Sequence, residues 1–326
     1  MELNDFDYEL PRELIAQEAV TPKDNSRLMV VGKNIEHKHF YNLINYLEKG
    51  DVLVINETKV AKAKLVGKKI TGTNVEIVLV EKIDDLRYKC RIKGRVIRVG
   101  NICEFDNGLI CDIVSQDKDV FVVKFNKDPS DFKESFSLPT PPYVKRVVRD
   151  EEYQTVYFKE EGSLAAPTAG LHFTNELLDK IEQKGVKIAR ICLHIDYNTF
   201  LEIVGDLKDH KMHKEYYEIS AEAADIINNR KGRLIAVGTT CVRAIESAAV
   251  EGKVMAKKEG TEIFIYPGYK FKMKIDGLIT NFHLPKSTLL MLVSAYYGLD
   301  RVLEIYKEAV KEKYRFYSLG DAMFLS

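Results

Sequence analysis

Between residues 61 and 152 the chain changes its period, and this constrains the fold more than any other feature. "NVEIVLVEKI", "RYKCRIKG", "RVIRVGNICEF", "LICDIV" and "VFVVKFN" are short, rich in β-branched residues and often alternating. Turn residues separate them, and no helical pattern interrupts them. Alternation at every second residue predicts antiparallel strands, and a small β-barrel is the form expected for so many short ones. The pattern stops near Pro139, Pro141 and Pro142, which predicts a hinge or linker.

On either side the pattern differs. "GDVLVINETKV" (50–60) reads as a buried strand with polar residues beyond its end. From about residue 155, strand and helix alternate. "TNELLDKIEQKG" is a helix with Thr174 as N-cap and Gly185 just past its end. "VKIARICLHI" is a strand, "SAEAADIINNRKG" a helix capped by Ser220, and "RLIAVGTT" a strand. "CVRAIESAAVEG" is a helix, and "TEIFIYP" and "GLITNF" are strands. Two helices, "KSTLLMLVSAYYG" and "DRVLEIYKEAVKEKY", follow. Such alternation predicts an α/β class fold, a mixed sheet with flanking helices, with an inserted all-β barrel domain. The expected boundaries are 1–60 with 153–326 for a discontinuous α/β catalytic domain, and 61–152 for the barrel.

The 49 basic and 49 acidic residues cancel, so only local charge speaks about partners. Between Lys59 and Arg98 twelve Lys or Arg face four Asp or Glu. Phosphate backbones attract such a surface, although a solvated barrel exterior would look the same. The five cysteines form no C-x-x-C pair, which argues against a disulfide framework or zinc site and fits a reducing compartment. The acidic start "MELNDFDYELPREL" lacks a signal-peptide core, and "STLLMLVSAYYGL" is too short to span a bilayer. The expected location is cytoplasmic, with no membrane partner.

In an open α/β sheet, ligands bind beyond the carboxyl ends of the strands. Polar residues recur at such ends: Asn56, Thr58 and Lys59; Thr168, Gly170 and His172; His194; Gly238, Thr239 and Thr240; Asn281 and His283. The loop "GSLAAPTAGLHFT" sets His172 just before a helix N-terminus, where a positive field would keep it neutral. It reads equally as a tight turn with a core histidine. Arg243, one turn into "TTCVRAIE", could clamp a carboxylate or be a surface residue behind a capped helix. On a strand, His213, Glu215 and Tyr217 would share one face, as a catalytic pair or a polar edge. His210, His213 and Glu215 match no zinc signature, so no metal is expected. Arg315 and Asp321 sit near a docked C-terminus. There is no P-loop, no dinucleotide fingerprint and no nucleophile elbow.

Longer segments carry more. "GSLAAPTAGLHFT", "MHKEYYEIS", "VGTTCVRAIES", "TEIFIYPGYKFK", "LITNFHLPKSTLLMLVSAYYG" and "YRFYSLGDAM", in that order, resemble the signature segments of the S-adenosylmethionine:tRNA ribosyltransferase-isomerase family of the queuosine pathway. "DFDYELPRELIAQ", "DNSRLMVV", "GDVLVINETKV", "GRVIRVG" and "PPYVKR…YQTVYF" resemble it too, so the likeness spans essentially the whole chain. "HIDYNTFLEI" departs: Asp196 and Asn198 stand where the family has glycines, and Leu201 where it has arginine. His194, Thr199 and Phe200 are kept.

The resemblance implies an α/β domain with an inserted barrel and an enzyme that takes ribose, not methyl, from S-adenosylmethionine (AdoMet). The acceptor it implies is 7-aminomethyl-7-deazaguanine at the wobble position of tRNA. The implied product is epoxyqueuosine-tRNA, with adenine and methionine released. No cofactor is expected beyond AdoMet as substrate, and the expected state is a monomer. A base must take a proton made acidic by the sulfonium, and the acceptor amine must be uncharged. Candidates for proton transfer are His172, then His283, then His213 with Glu215. The helix starts after Thr174 and Thr240, with Arg243, suit the methionine carboxylate. Phe173, Phe200 and Phe282 suit the rings or the sulfonium. Asn56, Thr58, Thr168, Ala169, Gly170, His194, Thr199, Gly238, Thr239, Asn281 and Asp321 complete the expected substrate pocket. Arg27, Lys59, Arg95, Arg98 and Arg315 are the expected tRNA contacts. Two rivals remain: an AdoMet-dependent RNA methyltransferase, whose glycine-rich loop is missing here, and a non-enzymatic RNA-binding protein.

Overall fold

A computed structural model of the chain describes residues 1–146, 148–200, 203, 207 and 210–326, without the side chains of Asn198 and Phe200. The chain divides into two compact units, 1–59 with 141–326, and 60–140. Residues 141–152, assigned to the barrel from the sequence, belong to the first unit, where the Tyr143 ring lies 4.5 Å from that of Tyr317.

The first unit is built on a nine-stranded sheet. Its order is Lys257–Thr261, Glu215–Ile219, Lys187–Leu193, Val52–Asn56, Leu234–Val237, Gly277–Asn281, Ala322–Leu325, Arg27–Val31 and Ile35–His39. Lys187–Leu193, Val52–Asn56, Leu234–Val237 and Gly277–Asn281 run parallel. Ala322–Leu325 is antiparallel to the last of these and parallel to Arg27–Val31. Four strands are buried at every position, Val52–Asn56, Leu234–Val237, Gly277–Asn281 and Ala322–Leu325, which is why they read as continuous apolar runs without alternation. The mixed sheet with flanking helices is thus borne out.

Five helices, α1 (Asn175–Gln183), α2 (Ala221–Asn228), α3 (Thr239–Ala248), α4 (Thr288–Tyr297) and α5 (Leu299–Lys311), belong to this unit. Thr174 caps α1 by accepting from Leu177 N–H at 3.2 Å, and Ser220 caps α2 from Ala223 N–H at 3.1 Å. Gly185 follows α1 at φ +89°, a left-handed position that favours glycine.

Two strand expectations shift. Over "TEIFIYP", pairing covers Lys257–Thr261 and stops as the run begins, because Thr261 Oγ1 accepts from Ile263 N–H and turns the chain. In "RVIRVGNICEF" only Ile102–Phe105 is a strand. The residues before it form a loop: Lys69 Nζ donates to the carbonyls of Arg95 (2.8 Å) and Val96 (3.0 Å), and Val96 is left-handed.

The second unit is a closed six-stranded barrel. Its order is Val120–Phe125, Arg87–Gly94, Asn74–Lys82, Lys64–Lys69, Ile102–Phe105 and Ile110–Asp117, with every neighbour antiparallel. Register shifts at Leu79/Glu81 and Val122/Val123 bend the strands, as closure requires. Leu65, Ile77, Cys90, Cys103, Cys111, Phe121 and Phe125 fill the interior. All five cysteines are free thiols. Among the described residues no helix is long and apolar enough to cross a membrane.

Candidate active site

Topology alone gathers polar residues at one end of the sheet. The parallel strands end there at Leu193, Asn56, Val237 and Asn281. The antiparallel ones begin or finish there, at Glu215, Ala322 and Thr261. A cleft opens at this end. Thr168, Ala169 and Thr199 line it from short 3-10 turns, Gly238, Thr239 and Thr240 from the start of α3, and Asn281, Phe282 and His283 from the end of a central strand. The start of α3 has no side-chain cap: Gly238 sits at φ +88° with no oxygen to offer. Its first N–H groups therefore keep their partial positive charge for a ligand.

Asn281 is 1% exposed, and its Nδ2 donates to Tyr317 O at 2.9 Å. That bond fixes the amide, leaving Oδ1 buried without a hydrogen bond. Tyr317 itself is left-handed (φ 73°), a costly state for an aromatic residue, and it aims its carbonyl at this amide.

His172 ends a short 3-10 turn, Thr168–His172, and lines a small neighbouring pocket with Lys23, Ser26 and Glu152. Ser318 lines both pockets. His172 Nδ1 lies 2.7 Å from Ser26 Oγ, and its buried Nε2 has no partner. Burial holds its pKa down to about 4, against the pull of Asp321. The helix field is not the leading cause. His283 Nε2 lies 2.9 Å from Thr280 Oγ1, and burial lowers its pKa to about 3. Both imidazoles are neutral near pH 7, but only His172 keeps a ring nitrogen that is buried and unbonded.

Several expected site residues act otherwise. Glu215 pairs with Arg243, not with His213, which is exposed and lies outside the strand. Its other oxygen accepts from Asp196 N–H at 2.9 Å. Arg243 is 5% exposed and does not line the cleft, though its Nε and Nη2 are buried without partners. Asn56 ties two strand ends together, donating to Leu193 O and accepting from Leu193 N–H and Thr58 N–H. Thr58 Oγ1 lies 2.8 Å from both Ser163 Oγ and His194 Nδ1, away from the cleft. Asp321 accepts from the backbone of Arg27 and Arg315 and from the Arg315 guanidinium, so its oxygens are taken. Phe173 is core, packed edge-on against Phe40, and a Cβ on Gly170 would collide with the Tyr157 hydroxyl. Thr174 is occupied as a cap. The Phe200 side chain, the Asn198 side chain and Leu201 lie outside the described residues.

The expected RNA contacts divide similarly. Arg27 donates to Glu312 O and stacks 3.8 Å from the Tyr314 ring centroid. Arg315 is bound to Asp321 and Glu18 O. Lys59 reaches Glu161 at 3.6 Å. Arg95 and Arg98 are exposed on their loop. Sequence reasoning missed Ser26, Tyr143, Tyr317 and Ser318, which meet the site only through the tertiary fold. Among the described residues no cluster of side chains could hold a metal ion.

Known proteins resemble this chain along its whole length. The family described as "Queuosine biosynthesis protein" matches residues 3–325. The chain is 50% identical to the S-adenosylmethionine:tRNA ribosyltransferase-isomerase of Clostridioides difficile and 47% identical to that of Desulforamulus reducens, each over the whole of both chains. A crystal structure of S-adenosylmethionine tRNA ribosyltransferase from Thermotoga maritima matches with a TM-score of 0.57 and 36% identity, covering 99% of this chain and 100% of that one. The chain belongs to the queuosine biosynthesis family and is an enzyme of its S-adenosylmethionine:tRNA ribosyltransferase-isomerase type.

Proposed function

We propose that this enzyme transfers and isomerises the ribosyl moiety of AdoMet onto 7-aminomethyl-7-deazaguanine at the wobble position of tRNA. The product is epoxyqueuosine-tRNA, and adenine and methionine leave. The observation that carries the reading is the cleft at the sheet end, mostly apolar yet holding an uncapped helix start and a fixed, unbonded carboxamide oxygen. A sulfonium nucleoside with an amino-acid tail asks for such a mixture. The start of α3 suits the methionine carboxylate. The start of α1 does not, because Thr174 already satisfies it. Phe282 and Tyr143 offer aromatic walls to a purine or a sulfonium.

His172 is the proton acceptor on this reading, being neutral and having a free Nε2. One such group supplies about 10²- to 10⁴-fold in rate. Positioning of ribose against the amine supplies up to roughly 7–11 kcal/mol, so the cleft matters more than any one imidazole. The exposed Arg95 and Arg98 take RNA phosphates, and the target base leaves its stack to react. AdoMet and tRNA are substrates; the protein acts in the cytoplasm as a monomer and without a further cofactor.

The test is to incubate the enzyme with AdoMet and tRNA, with and without the modified base, and identify the small molecules released. Adenine and methionine appear only with the aminomethyl base. S-adenosylhomocysteine would mean methyl transfer, and intact AdoMet would mean RNA binding alone. His172→Ala abolishes adenine release, by about 10²-fold or more, while AdoMet still binds. Near-normal turnover would remove His172 from the role.

A further inference from the structure

The barrel strand Lys64–Lys69 fully buries two residues, Leu65 and Lys69. Lys69 lies directly opposite Cys103, a residue of the barrel core, so its position asks for an apolar side chain. A lysine is almost never buried there without partners. Its partners are not carboxylates. Nζ donates to the carbonyls of Arg95 at 2.8 Å and Val96 at 3.0 Å. The ammonium is thus directed at the shape of one loop, which joins Arg87–Gly94 to Ile102–Phe105.

That loop is held in a costly form. Val96 sits at φ 51°, a left-handed conformation that β-branched residues rarely adopt. Val96 and Val99 are 58% and 53% exposed. Of residues 95–99 only Ile97 turns partly inward against the barrel core, where a Cβ on Gly94 would come within 2.9 Å of it. The Arg98 N–H is fixed as well, donating to Asn101 Oδ1 at 3.1 Å. A loop that only joined two strands would gain nothing from this, since glycine takes a left-handed position without strain.

What the loop presents is positive charge. Arg95 and Arg98 are exposed, and among the described residues neither guanidinium has an acidic partner. Residues 94–101 contain no Asp or Glu. Two free guanidiniums on a fixed loop suit a phosphate backbone, which binds cations whatever the base sequence.

We propose that Lys69 is a positioning residue for tRNA: by holding the carbonyls of Arg95 and Val96 from beneath, its ammonium keeps Arg95 and Arg98 presented together to RNA phosphates. The inference rests on the proposed reading of those two arginines as RNA contacts. Lys69 is buried under the loop and acts through them, not on RNA itself.

The test is a double-mutant cycle on tRNA binding by the full chain. Lys69→Met, of similar length but without donors, weakens binding about fivefold. Lys69→Gln, too short to reach both carbonyls, does the same, so the result does not depend on one variant folding. Lys69→Arg keeps the charge and the donors and restores affinity to within about twofold. When Arg95→Ala and Arg98→Ala are already present, Lys69→Met costs less than about 1.5-fold, because nothing is left to position. AdoMet binding by the Lys69 variants stays at the wild-type level.

Equal losses with and without the arginines would overturn the inference, since Lys69 would then act through overall charge or barrel stability. So would wild-type tRNA affinity in both Lys69→Met and Lys69→Gln. Either result leaves the arginines as RNA contacts. An arginine pair whose removal leaves tRNA affinity unchanged overturns the reading of the loop and the positioning role together. Wild-type protein that binds tRNA but releases no adenine overturns the proposed reaction and leaves the cycle readable.

Discussion

The α/β unit buries many polar groups, a number of them at one end of its sheet and others, such as Asp51 and Glu246, away from it, whereas the barrel interior is almost wholly apolar. Among the described residues of the barrel only Lys69 and Arg91 are buried and charged, and both are engaged: Lys69 with loop carbonyls, Arg91 with Asp119. The α/β unit buries His172, His283, Asn281, Glu215, Arg243 and Asp321. Several of their polar atoms have no partner. A protein that only needed stability would not accept this, since desolvated and unpaired groups oppose folding. One unit is thus shaped by packing and outward charge, the other by chemistry.

The contrast extends to histidine. All seven lie outside residues 60–140. His172 and His283 are buried neutral, with pKa values held down to about 4 and about 3. In the unfolded chain both take up a proton near pH 6.5, which the folded state refuses until much lower pH. Stability of the α/β unit therefore falls as pH drops below about 6.5 and is unaffected by these groups above it. Down to pH 4 the loss is roughly 3 kcal/mol for each group. Hydrogen exchange on the whole chain, corrected for intrinsic rates, should show protection lost first in the α/β strands, with barrel strands unchanged over this window. Equal loss in both units would break the contrast.

The next largest effect tests the barrel's side. Arg95→Ala with Arg98→Ala should weaken tRNA binding about tenfold and flatten its salt dependence by about one unit of slope per arginine engaged. AdoMet affinity should not change, since no residue of 60–140 lines the cleft. Weaker AdoMet binding would blur the division of labour.

How much was readable beforehand differs between the same two regions. The barrel's alternation is a local signal, and a small antiparallel barrel was legible from it, although Lys64–Lys69, one of the six strands, was not among the segments read. The buried parallel strands were legible as apolar runs. Arg27–Val31 and Ile35–His39 escaped the reading of strands; the second is mostly exposed and carries no apolar run. Residue types at the site were legible as well: Thr168, Gly238, Asn281 and His283 do share a cleft. What composition and spacing could not provide was partner choice. Glu215 meets Arg243 from 28 residues away, and Ser26 meets His172 from 146. Asn56 and Asp321 look like ligand groups in sequence, yet each spends its hydrogen bonds on backbone and neighbours. Only the packed chain separates a polar residue that is satisfied from one that waits.

Thr174 provides the smallest and sharpest case of that distinction. The sequence admits it both as an N-cap and as a substrate contact. In the structure its Oγ1 accepts from Leu177 N–H at 3.2 Å and donates to Asp24 Oδ2 at 3.0 Å, which leaves little for a ligand. Losing a helix cap costs about 1 kcal/mol. In a unit of this size that is a fall of about 2–4 °C in Tm. Thr174→Ala should show this fall with kcat/KM for AdoMet within about twofold of wild type, and Thr174→Ser should restore Tm. The opposite pattern, an unchanged Tm with AdoMet affinity reduced tenfold, would return Thr174 to the substrate. It would also mean that the start of α1, like that of α3, is held open for an anion.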